Sequence, residues 1–461
     1  MKIFLCECKK MMSFRIFWII FVCLFAINGY VQIDRINDRY YTPESYRSFF
    51  SETKDMSLEE IQDYTNEMLE RQNNGEYIEF PMMLVYDMSE LSKECENYPE
   101  YLNSIKEQTN NMSAVSIWGD SDTFSYRNIQ KTAADYEKLD EQLQVGINEG
   151  VMFLGNAFWT DWLLLLFAIY IGFMLFKWEH ENNALNLVSS CVRGRGMLGI
   201  AKVVTALSLE IGAFMFLYGS NYAIAARLYG FGGLDRAIQS VPKFQSCGIS
   251  LTVGTYIVLL GVVKELALMA VSLGIWVGIL AVRGTIGPVC GIIAILLGEY
   301  LLYTLITSLS KWRLLRYLNF FYFLDGCEIL TVYQNLNCFG YPVSFVRIWS
   351  GVWFAMMIVL IPVLGALFVH NEKMRAGKHT AECFWQVIQK VKYKKMPVCV
   401  LHSPWYWEQK IYFYKLAGIL LLISGMLCMT VVSNHESDSY YISKEEQEAE
   451  EFVKEYKGAL T

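Results

Sequence analysis

The side chains able to do chemistry in this chain are few and scattered. Its five histidines and twelve cysteines form no C-x-x-C pair and no Cys/His cluster with metal-ligand spacing, so no metal site is expected. No G-x-x-x-x-G-K-[ST] loop is present to cradle a nucleotide, and no D-x-[DN]-x-[DN]-G run to bind calcium. No nucleophile–base set stands out, so no catalytic residue is assigned and an enzyme is the weakest reading. What remains is charge in unusual places. Glu210 and Glu299 fall in the middle of apolar runs, where an ionised group costs on the order of 2–4 kcal/mol and is a functional candidate by default. Lys264 and Glu265 lie inside another such run. A second set, Glu179, Glu181, Arg193, Arg195 and Lys202, is concentrated within a short polar loop.

These groups need a frame, and composition says what it is. Of 461 residues 54% are hydrophobic and 18% charged, and the mean hydropathy is +0.26. The apolar residues come in blocks of about 20, the length of a bilayer-crossing helix. Seven windows qualify: 14–31, 157–176, 198–223, 251–282, 287–309, 345–369 and 412–432. The first is read as an uncleaved anchor, because its apolar run exceeds a signal core and no A-x-A follows. The fourth has 32 residues, about 48 Å of helix, and is expected to split into an interfacial helix over 251–263 and a span from 266. Lys264 and Glu265 would then sit at the outer surface.

The net charge of −7 hides a division. Residues 33–156 hold 25 Asp/Glu against 10 Lys/Arg, and the remainder is basic. Lys/Arg counts near the span ends put the N-terminus in the cytoplasm, the acidic residues 33–156 outside, and the Lys-rich 370–411 linker inside. The charge balance argues against a nucleic-acid partner. The outer domain reads as mostly helical. Ser57 and Glu60 have capping-box spacing. A helix over 89–108 is expected to break near Pro99, another covers 126–145, and 77–86 is a buried strand or an apolar contact segment. Cys327 and Cys338 share one outer loop and could pair.

The loop 177–202 joins the second and third windows on the inner side. It places Glu179 and Glu181 after the membrane exit, then a short apolar stretch, Leu185–Val188, then Arg193-Gly194-Arg195-Gly196, then Lys202. This order resembles the type-2 ABC exporter permeases, in particular the bacterial subgroup with a large domain between the first two spans. Members carry an acid after the second span, a short apolar helix, a Gly-Arg pair and a Lys opening the third span. The Gly-Thr that usually follows the acid is Asn183-Ala184 here. The 251–260 run and Cys338-Phe339-Gly340 also resemble that family, and the likeness covers about residues 1–370.

The resemblance implies an all-α polytopic membrane protein in the plasma membrane: a six-helix permease half plus a seventh span, with a mostly helical extracellular domain. Its segments are 1–32 with the first span, 33–156 as the outer domain, 157–369 with spans two to six, 370–411 as a cytoplasmic linker, and 412–461 as a seventh span and acidic outer tail. It implies export of a peptide or lipid-like substrate, coupling to the ATPase through Glu179, Glu181, Arg193, Arg195 and Lys202, and short helices dipping back toward the membrane within 310–344. No cofactor is expected on this chain. ATP would be bound by a separate nucleotide-binding subunit, and the other partners are a second permease half (a homodimer or a separately encoded chain) and membrane lipid. Two readings compete: a membrane-anchored sensor that binds a ligand through 33–156, and a proton-coupled secondary transporter that uses Glu210 and Glu299.

The end of the chain echoes its start. Glu408-Gln409-Lys410 matches Glu7-Cys8-Lys9, Lys415 matches Arg15, and Tyr440-Tyr441 matches Tyr40-Tyr41, at an offset of 400 or 401. The expectation is one six-span unit followed by the opening of a second, since internal duplication is common in transporter folds.

Overall fold

The long apolar runs form helices because a helix satisfies every backbone polar group within its own segment. A computed structural model describes residues 2–37, 41–114, 122–139, 142–177, 196–282, 286–306 and 312–374. Among these, six helices are long and apolar enough to cross a membrane: Arg15–Asn37, Glu149–Lys177, Gly196–Leu228, Val253–Ala281, Gly287–Leu305 and Phe345–Val369. The protein is therefore mostly helical and membrane-embedded in character. The 412–432 window, the acidic tail with its internal echo, and the linker beyond residue 374 lie outside the described residues.

In chain order the helices are α1 (Lys2–Ser13), α2 (Arg15–Asn37), α3 (Pro43–Glu52), α4 (Leu58–Asn73), α5 (Met82–Ala114), α6 (Phe124–Tyr136), α7 (Glu149–Gly155), α8 (Phe158–Gly172), α9 (Gly196–Leu228), α10 (Val253–Ala281), α11 (Ile286–Leu305), α12 (Arg313–Tyr317), α13 (Phe320–Leu324), α14 (Gly326–Thr331) and α15 (Phe345–Met374). The first span runs to Asn37 rather than 31, and the second starts at Glu149 rather than 157. A π-helical turn, Phe173–Lys177, closes the second span.

The expected split of 251–282 is not found. Val253–Ala281 is one helix, about 43 Å at 1.5 Å per residue, which matches the bilayer with its headgroup zones. Lys264 is buried inside it rather than placed at the surface.

The second span is the centre of its bundle. Its most apolar window is 72% buried, against 22% for the first span and 17% for the sixth. It packs on the first, third and fourth spans. Gly172 admits the close approach of Trp276, whose Cδ1 would lie 2.5 Å from an added Cβ. The Trp276 indole N–H then donates to the Ala168 carbonyl at 2.9 Å.

The residues between the first two spans fold into α3 to α6. Thr42 caps α3, with Pro43 in its first turn. The capping box of α4 forms as its spacing predicts: the Ser57 N–H donates to the Glu60 carboxylate at 2.7 Å, and the Glu60 N–H donates to Ser57 Oγ at 3.3 Å. That backbone bond holds the Glu60 carboxyl below its ordinary range. Three local expectations fail. The 77–86 run is neither strand nor contact segment as a whole: Tyr77 is 85% exposed, and α5 begins at Met82. Helix α5 continues through Pro99, because Tyr98 and Leu102 on either side are buried in the domain core. Helix α6 stops at Tyr136, yet Leu139 and Leu143 still reach the core from irregular backbone.

That core is continuous with the ends of the third and fourth spans. Tyr46, Phe49, Leu84 and Leu91 share one cluster with Tyr229, Ile238, Phe244, Tyr256 and Leu260. A small antiparallel ribbon qualifies the all-α expectation. Strands β1 (Asn335–Cys338) and β2 (Tyr341–Ser344) meet at a turn with φ positive at Phe339 (53°) and Gly340 (88°). Cys338 is free.

The ribbon region docks on α6 through Asp135. Its carboxylate accepts the Lys131 ammonium and the Tyr333 hydroxyl, the latter at 2.9 Å. Lys131 also donates to Asn335 at 3.0 Å. Burial raises the Asp135 pKa, but the Lys131 and Tyr333 hydrogen bonds and the Lys131 and Lys138 charges outweigh it and hold it below the ordinary value. A depressed carboxylate stabilises the fold above its unfolded pKa, about 3.9, and that contribution disappears as pH falls through the folded value. The stability difference between wild type and D135N should be constant above about pH 5 and shrink as the pH falls below about 3.9, in chemical unfolding read across that range.

Candidate functional site

Of the five residues assigned to the inner loop, Glu179, Glu181, Arg193 and Arg195 lie outside the described residues. Lys202 is described, and it is fully buried. Its ammonium donates to the Leu175 carbonyl at 2.6 Å and to Glu7 Oε2 at 3.4 Å. Glu7 also takes a 3.0 Å bond from Lys10. The cation sits 5.9 Å from the Phe368 ring, and Gly199 lets that ring in, since an added Cβ would be 3.0 Å from Phe368 Cδ1. The end of the second span, the start of the third, helix α1 and the sixth span thus meet at one ammonium. Glu7 was not picked from sequence. The available signal was a lone acid beside Lys9 and Lys10, on a helix too short to cross a membrane.

A second charged layer lies deeper. Asp161 on the second span and Lys264 on the fourth form an ion pair at 2.7 Å, with side chains only 3% and 2% exposed. The Tyr218 hydroxyl donates to the other Asp161 oxygen, and Lys264 Nζ stands 5.6 Å from the Tyr218 ring. The ion pair and the Tyr218 hydrogen bond hold the three side chains at one level of the bundle. In the sequence Asp161 is a single acid in an apolar window, with no local feature to mark it. The signal was complementarity: a lone Asp in one span and a lone Lys in another.

Next to this pair is a ring of neutral hydrogen bonds. Thr160 Oγ1 donates to Asn28 Oδ1 at 2.7 Å, Asn28 donates to Asn221 Oδ1 at 2.8 Å, and Asn221 donates back to Thr160 Oγ1 at 2.8 Å. Gln32 adds a 3.4 Å bond to Thr160 and accepts Arg35 at 2.8 Å. The ring joins the first three spans.

No family model, curated protein or solved structure matches this chain.

The site is read from its geometry alone. Glu210, expected mid-span, is buried on α9 and accepts the Ser272 hydroxyl on Oε1, while Oε2 has no partner. Neither carboxylate oxygen of Glu265 finds one. Glu299 is half-buried on α11. Among the described residues, no three His, Cys, Asp or Glu side chains gather as metal ligands. The short helices α12 to α14 follow the fifth span. Phe321 of α13 stacks on Trp162 with ring centroids 4.9 Å apart, which brings this segment beside the residue that follows Asp161. The arrangement can do two things. It fixes the helices through buried charge, and it joins Leu175 and Lys202, the described residues on either side of the 178–195 segment, to the bundle.

Proposed function

We propose that this chain is the membrane subunit of an ATP-driven exporter. ATP is hydrolysed on a separate nucleotide-binding subunit, and a second permease half completes the pathway. In this reading residues 33–156 face outward from the plasma membrane, the N-terminus and the 177–202 loop face the cytoplasm, and the 412–432 window crosses as a seventh span.

The observation that carries the reading is the anchoring of Lys202. A loop that transmits force from a cytosolic motor must be fixed at both ends, or the force dissipates in the loop itself. Leu175 precedes the loop and Lys202 follows it, and the 2.6 Å bond between them joins the two stems. Glu7 brings α1 to the same point. The order of one span, a large domain and then five spans, together with the Glu, Gly-Arg and Lys positions of the loop, supports the same reading.

A test starts from purification of the native complex, in which a nucleotide-binding ATPase should co-purify. K202M should lower the ATPase activity of that complex by about tenfold, because loss of a charge-assisted anchor on that scale is worth about 1.4 kcal/mol. The complex should still assemble. If no ATPase co-purifies and transport in vesicles runs on a proton gradient without ATP, the secondary-transporter reading replaces this one. Glu210, buried with one carboxylate oxygen unpartnered, is the observation that favours that alternative.

A further inference from the structure

The domain between the first two spans carries a cavity of about 730 Å³, within the range of small-molecule sites. It is walled by α3, the start of α4, the 143–147 backbone and the Gly232-Gly233 turn. Its floor is apolar, formed by Phe50, Met56, Leu58, Ile61 and Leu143. Its charged lining consists of Arg47 and Lys54, and no carboxylate lines it. That is unexpected in a segment with 25 Asp/Glu and 10 Lys/Arg. Neither cation makes an ion pair among the described residues, although Glu52 and Asp55 are close in sequence.

A third cation lies against the wall. Arg236 is 7% exposed, and its guanidinium presses on Gly146, a lining residue: an added Cβ there would be 2.5 Å from Nη1. Arg236 Nη2 donates to the Ile147 carbonyl and, at 2.7 Å, to Asn148 Oδ1, while Nε and Nη1 have no partner. No described carboxylate balances this buried charge, and a buried charge acts over a longer range than one in water. The cavity also sits at the level of a span end. Arg47 donates to the Arg227 carbonyl, in the last turn of the third span, at 2.9 Å.

We propose that this cavity binds an amphiphile with one alkyl chain and an anionic head, the head held by Arg47 and Lys54 and the chain laid on the apolar floor. The location beside a span end favours a molecule taken from the membrane surface over a soluble anion. The proposal rests on the exporter reading only in naming this molecule as the class of substrate. The binding itself needs neither ATP nor a second subunit.

The test uses the full chain in phosphatidylcholine nanodiscs, with dansyl-labelled undecanoate as the fluorescent probe. The probe should bind, oleate should displace it, and the neutral monoolein should not. R47Q/K54Q should weaken binding about tenfold or more, with the thermal transition unchanged, because both cations are exposed. L58D places a carboxylate in the cavity at the first turn of α4, where a helix tolerates an acid, and should abolish probe binding. The proposal is overturned if no probe binds up to about 100 μM, a free energy near −5.5 kcal/mol. It is equally overturned if R47Q/K54Q binds like wild type, if monoolein competes as well as oleate, or if an oligoglutamate peptide does, which would make the occupant a peptide. Probe binding by the chain, together with a native preparation from which no nucleotide-binding ATPase co-purifies, would sink the exporter reading alone. Loss of binding in a chain with ATP-driven transport would sink this proposal alone.

Discussion

Replacing Lys264 by methionine should cost the folded protein about 3–5 kcal/mol, the usual loss when one partner of a buried ion pair is removed. Among the described residues the ammonium is the sole cation bonded to Asp161, and both side chains are almost fully enclosed. Without it a carboxylate is left in the bundle with only the Tyr218 hydroxyl. Asp161→Leu should cost a similar amount by stranding the ammonium. The double variant D161L/K264M should recover most of the loss, because two apolar side chains of similar volume avoid the desolvation penalty of both ions. Thermal unfolding of the four proteins in one detergent closes this double-mutant cycle. Additive losses in the double variant would show that the two residues do not act as a pair.

Gly150→Ala should destabilise the chain by about 1–3 kcal/mol, and Gly150→Val by more. A Cβ at this position would overlap the Gly230 carbonyl oxygen, and Phe231 Cδ1 would be 3.1 Å away. The obstruction is backbone, so it cannot move aside as a side chain does. Gly230 is itself held at φ 81°, where it ends the third span with its N–H on the Ala225 carbonyl at 3.0 Å. The control is Gly212→Ala within the third span, helix α9, where an added Cβ meets nothing within 4 Å. It should be neutral, or stabilising by up to about 1 kcal/mol through helix propensity. Opposite signs for the two alanines would place the constraint at the junction of the second and third spans. Equal effects would mean that the junction yields.

Hydropathy made the six described spans legible, because a membrane imposes length and apolarity locally. The Ser57–Glu60 cap was legible for the same reason: its two partners are three residues apart. What failed was pairing over distance. Asp161 and Lys264 are about a hundred positions apart, and neither local window reveals the other. The length of the 251–282 run, taken alone, therefore points Lys264 to a surface, whereas its partner Asp161 keeps it inside the bundle. Pro99 was read as a break because the rule for proline concerns an isolated helix, whereas here the domain core holds both sides. In the site, Lys202 was legible as a position and Glu7 was not, since α1 contributes through a contact made only in the fold.

The ring of Asn28, Thr160 and Asn221 has a mechanical consequence. Each member gives one bond and takes one, so the three helices are joined in a closed circuit. Sliding any one of them by a single turn, about 5.4 Å, would break two of the three bonds at once, inside a region with no water to replace them. The first three spans are therefore tied as one block, and any displacement of one of them carries the other two with it rather than shearing the block helix by helix.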